Sequence, residues 1–188
     1  MNVCMRWAND TRPLDEATRD AILSQHSKQY QQWVQWLVGY DGFPFKDVQI
    51  NVVGWAVANE ALFQGSPHGF PVYTDFRDND GNPTCDPGCS RLLHLEGDYS
   101  SCPLGAEYRF HHYLEINPAW GAVDMGAAGG EGLEMSEYGW DNTGSKMGDW
   151  PVLVHETVSH MVYCMKIGLI ECYTGPHFRI DRLHPRLH

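Results

Sequence analysis

The sequence predicts an α+β domain. Three observations predict it: one long segment with apolar and aromatic residues at spacings of three and four, several short stretches rich in β-branched residues, and a cysteine-bearing region without sustained periodicity. At 188 residues the chain is long enough to bury a core as one domain, and seven Trp, nine Tyr and seven Phe supply much of that core.

Asp15 to Val38 is the predicted long helix. Ile22, His26, Tyr30, Trp33, Val34 and Leu37 recur on one face, Asp15 and Glu16 sit at the positive end of its dipole, and Gly39 closes it. The stripe reads as packing. Val48 to Val57 alternates and is rich in β-branched residues, which predicts a strand; Phe70 to Phe76 predicts a second, ended by the turn-forming run Asp78 to Asn82. That run begins like a calcium loop but has no Glu at the closing position, so it reads as an ordinary turn. Tyr108 to Ile116 predicts a third strand, stopped by Asn117 and Pro118, with His111 and His112 on opposite faces, one packed and one solvated. Ala127 to Gly132 reads as a flexible glycine-rich loop. It has neither the Lys-Ser/Thr ending nor the dinucleotide spacing of a phosphate cradle.

A formal charge of -11 argues against nucleic acid and anionic membrane as partners, because phosphate binding needs a basic surface. No apolar run approaches the roughly 18 to 20 residues that cross a bilayer. Met1 to Trp7 lacks the apolar core of a signal peptide, so an exported form would need a leader that these residues do not supply. Cys4, Cys85, Cys89 and Cys102 are expected in loops. They read as two disulfides rather than a metal cluster, since neither C-x-x-C spacing nor a nearby His pair accompanies them; three connectivities stay open. Disulfides place the chain in an oxidising compartment. Asn9-Asp10-Thr11 is a glycosylation acceptor sequence.

The chemistry-bearing segment is Asp149 to His160. Asp149 caps a helix that Trp150 and Pro151 begin, and His155-Glu156 starts like the H-E-x-x-H helix of a zinc peptidase. In that motif two imidazoles one turn apart face one metal, and the Glu reaches a zinc-bound water. Here Ser159 stands where the second His belongs. His160 lies five residues from His155, which rotates it off the shared face. The candidate residues are therefore Glu156 as general base, with His155 and His160 as metal ligands.

Several ordered blocks resemble a family of secreted, mostly fungal proteins that look like zinc metallopeptidases and often appear with cellulose-binding modules. The blocks are Gln32 to Phe45, Val52 to Val57, Gln64 to Ser66, Val72 to Asp75, the Cys85 and Cys89 pair, Gly97 to Ser100 and Trp150 to Glu156. The similarity spans about Cys4 to Thr157. The family's active helix reads H-E-x-G-H-T-x-G-L-D-D, which is similar to metzincins whose third zinc ligand is an Asp. The resemblance implies a metzincin-like small twisted sheet, with the long N-terminal helix and a truncated active-site helix packed on one side. It also implies zinc as cofactor and peptide-bond hydrolysis by zinc-activated water. Carried over by position, His155 matches the first ligand and Glu156 the base, whereas Ser159, Val162 and Met165 stand where the family has His, Gly and Asp.

After Thr157 the pattern and the composition both change. Residues up to Thr157 carry a net charge of -13, and the last 31 carry +2. Val158-Ser159 is what a GT-N-A-G-Y intron donor encodes when translated. Two segments are thus expected: 1–157, a metallopeptidase-like domain lacking its C-terminal part, and 158–188, a non-homologous tail read from an unspliced intron or, alternatively, a variant end with a rebuilt site. Its histidines, His160, His177, His184 and His188, read as solvated. The function expected is that of a secreted, monomeric zinc metallopeptidase-like protein acting on peptide or protein in intact relatives, itself inactive or incomplete. The alternative is a non-catalytic secreted module that binds plant cell-wall polysaccharide, with Trp33, Trp36, Trp55, Trp120, Trp140 and Trp150 as stacking surfaces.

Overall fold

The computed structural model describes residues 1–39, 43–118, 126–129, 132–137, 140 and 141. In chain order these form β1 (Asn2–Trp7), α1 (Glu16–Leu37), β2 (Asn51–Val57), β3 (Val72–Tyr73), β4 (His112–Asn117), β5 (Gly126–Gly129) and β6 (Gly132–Ser136). Short 3-10 turns occupy Glu60–Leu62, Pro87–Cys89 and Ala106–Tyr108. One helix and a largely parallel sheet give the α+β character expected.

The helix forms where its periodicity lies. Asp15 is its N-cap, and the carboxylate accepts from the Thr18 N–H at 2.8 Å, which satisfies one of the first-turn donors. Gly39, at φ 80°, turns the chain away beyond the Val38 C-cap in the left-handed region. Ile22, Tyr30 and Val34 of α1 are buried. Arg19 fastens the N-terminal turn: its guanidinium donates to the carbonyls of Leu14, Gln64 and Ser66 and lies 4.0 Å over the Phe63 ring.

The strands lie in the order β3-β2-β1-β4-β6-β5. All neighbours run parallel except β5, which pairs antiparallel with β6 at the edge. From β1 the chain crosses through α1 to β2 on one side; after β3 it returns over the sheet to β4 on the other side of β1. Right-handed crossovers in opposite directions fall on opposite faces. The two cores follow from this. On the α1 face Val3, Met5, Trp7, Val52, Trp55, Val57, Leu114, Ile116 and Met135 pack with Ile22 and Tyr30. On the other face Cys4, Val53 and Ala56 pack with Phe110 and the loop cysteines. The loop is fastened there by Cys4–Cys85 and Cys89–Cys102. Among the described residues no helix is long and apolar enough to cross a membrane.

Several expectations are corrected. Cys4 lies not in a loop but in β1, fully buried and bonded to the opposite-face loop. β1 shows no alternation because both its faces are covered, and such a strand reads as a mixed run. The expected glycine-rich loop contains β5 and the start of β6. Among the described residues the sheet has six strands, more than the sequence stretches predict. The expected strand from Tyr108 begins only at His112, because Ala106–Tyr108 is a 3-10 turn. His111 is not solvated: it is half-buried, and its Nδ1 accepts from the Asn2 N–H at 3.1 Å.

Candidate functional site

His155, Glu156 and His160, and with them the expected active helix and the tail 158–188, lie outside the described residues. The approach to them is described. Beyond β6 the Trp140 side chain is buried in the α1-face core. Arg12, in the β1–α1 connection, donates to Glu137 and to Asp141, each at 2.7 Å. The Asn9 Nδ2 donates to the other Glu137 oxygen at 2.8 Å, while its Oδ1 accepts from the N–H groups of Thr11 and Arg12. Hydrogen bonding to Asp141 and Glu137 holds the Arg12 guanidinium charged above its ordinary value, against the effect of burial. The connection after β1 therefore clamps Glu137 and Asp141 just beyond β6. The same contacts bury Asn9 to 7% exposure, so the acceptor sequence at Asn9 is used internally.

On the loop face of the sheet is a second polar cluster. Arg6 of β1 and Glu115 of β4 are register partners, 3.6 Å apart, and Arg6 also reaches Asp78 at 3.4 Å. The Arg6 guanidinium lies 3.3 Å over the Tyr113 ring. Glu115 accepts from Asn117 at 2.8 Å and from Asn82 at 3.3 Å. Burial raises the Glu115 carboxyl above its ordinary range, opposed by Asn117 and Arg6. Tyr113 donates to Glu134 at 3.0 Å, and burial pushes its phenol up. Asp78 heads a turn, accepting from the N–H groups of Asp80 and Asn82 and joining that turn to the cluster.

On the α1 face, His26 and Tyr30 meet His112 of β4. The Nε2 atoms of His26 and His112 are 3.0 Å apart, and the Tyr30 hydroxyl lies 3.2 Å from the same His112 nitrogen. Burial holds His26 neutral, its pKa lowered to about 3, and lowers His112 well below the usual imidazole value. Sequence reasoning read His26 and Tyr30 as packing only. The periodic face located them, but nothing local showed that an imidazole on a distant strand would meet them.

Of the tryptophans named as sugar-stacking surfaces, Trp55 and Trp140 are core residues, each 5% exposed. The remaining four lie outside the described side chains. Among the described residues no three or more His, Cys, Asp and Glu gather in a group able to hold a metal. In the sequence, the positions that the resemblance assigns to the second and third ligands hold Ser159 and Met165, a hydroxyl and a thioether. Comparison with family models, with curated proteins and with solved structures finds no match to this chain.

Proposed function

We propose that this chain is a secreted zinc metallopeptidase-like protein with an incomplete metal shell, and that as written it does not cleave peptides. In the sequence, Glu156 retains the place of the general base and His155 that of one ligand, while the next histidine, His160, is out of step with the H-E-x-x-H spacing. The observation that carries the reading is the antiparallel β5 at the edge of an otherwise parallel sheet, beside β6, from which the chain runs on to His155 and Glu156. An extended peptide pairs along such an edge through its main chain. A long helix on one face and a disulfide-fastened loop on the other also suit the metzincin-like ancestry that the sequence blocks imply. Secretion belongs to the same proposal and draws on the two disulfides. So does the reading of Val158 to His188 as translated intron.

The test is metal analysis and casein cleavage by the purified chain, with and without chelator. Zinc far below one equivalent and no chelator-sensitive cleavage are expected; stoichiometric zinc with chelator-sensitive cleavage would sink the proposal. Sequencing the messenger RNA across Thr157 tests the tail. A Gly-His continuation is expected, and spliced messages that all encode Val158 to His188 would end the intron reading.

A further inference from the structure

We propose that His26 and His112 form an acid-sensitive latch between α1 and the sheet, which opens when both rings become protonated. The geometry sets a proton count. Their Nε2 atoms face each other at 3.0 Å, and neither Nδ1 has a hydrogen-bond partner among the described residues. Two facing nitrogens cannot both carry hydrogen, so one ring donates across the contact and the other keeps its proton on Nδ1. A first added proton goes to the free Nδ1 of the donor ring and leaves the contact intact. A second has only the contact nitrogen left to occupy. It sets two N–H groups and two positive charges face to face, and the rings must part.

Among the described residues nothing around the pair neutralises that charge. From α1 the neighbour is Tyr30, whose phenol burial keeps protonated. From β4 and the head of β1, His111 and the amino terminus act on His112, and both oppose a further positive charge. Among the described residues no carboxylate acts on either ring. Both folded-state values lie below 6.5, so the unfolded chain binds more protons as pH falls from about 6.5. The stabilising effect of neutral rings is therefore complete above that value and lost progressively beneath it. Two linked protons steepen the unfolding constant by up to roughly 100-fold per pH unit. A metal ion on the same two nitrogens would force hydrogen onto both Nδ1 atoms, leaving two unpaired donors instead of one. The proton latch satisfies more of the site.

The test is urea unfolding of the full chain from pH 7.5 to 4.5, comparing the wild type with His26→Gln/His112→Gln. The wild-type unfolding constant is expected to rise between pH 6 and 4.5 by at least 100-fold more than the variant's. Equal pH dependence overturns the latch. If the double variant does not fold, imidazole carbon-13 NMR of the wild type decides. At least one ring staying neutral until α1 amides lose hydrogen-exchange protection is the expected result, and protonation of both rings with α1 still protected overturns it. Zinc chloride at pH 7.5 is expected to leave the unfolding midpoint unchanged. A raised midpoint with shifted His26 and His112 signals would assign the cluster to a metal and overturn the proposal.

Discussion

Arg6 and Glu115 stand opposite one another across the parallel β1–β4 pair, guanidinium and carboxylate 3.6 Å apart, with side chains 6% and 2% exposed. Removing one partner of a buried pair leaves the other charge uncompensated, which costs about 3–5 kcal/mol. Arg6→Ala is accordingly expected to lower the urea unfolding free energy by about 3 kcal/mol, helped by loss of stacking on Tyr113. Glu115→Gln should behave differently, because burial raises the carboxyl's folded-state value. A raised acid loses stability as pH climbs through that value, so the variant is expected to gain on the wild type between pH 4.5 and 7. A difference independent of pH across that interval would contradict the assignment.

The two disulfides differ in the loops they close. Cys4–Cys85 spans 81 residues and Cys89–Cys102 spans 13. By chain-entropy reasoning they contribute about 4.5 and about 3 kcal/mol. Paired Cys→Ala variants are expected to keep that order in denaturant midpoints. Peptide mapping without reduction should recover these two pairings.

Gly132 opens β6 because a side chain there has no room: an added Cβ would lie 2.3 Å from the Tyr113 hydroxyl. Gly132→Ala must displace that ring and break its bond to Glu134. A cost of about 1–3 kcal/mol is expected. Gly132→Ala/Tyr113→Ala should recover part of it, and full additivity of the two changes would count against the clash.

Asn9 holds three partners at once, and expression in a glycosylating host is expected to yield an unmodified Asn9 peptide by mass spectrometry. Asn9→Ala should cost about 1–3 kcal/mol by leaving buried groups unpaired. Thr11→Ala, which removes the acceptor sequence but spares those amide contacts, should cost less.

Legibility followed how local each signal was. α1 was readable to within a residue because a 3.6-residue period, an acidic cap and a closing glycine all lie within the segment itself. β2 and β4 were readable in their cores through alternation and β-branched residues. β1 and β6 were not, because strands buried on both faces lose alternation and a glycine that makes room for a distant tyrosine resembles a loop glycine. At the candidate site, the residue types at His155, Glu156 and Ser159 were visible, while the Asn9 and Arg12 clamp on Glu137 was not, since its partners lie more than a hundred residues apart.

By itself the sequence determined the helix, the α+β class and the four cysteines that pair. These depend on residue identity and short-range spacing. Tertiary structure alone decided the strand order, the division of two cores between the faces of one sheet, the Cys4–Cys85 link and the meeting of His26 with His112. Each of those joins segments whose separation along the chain leaves no periodic trace, and only the crossover geometry of the folded sheet brings them into contact.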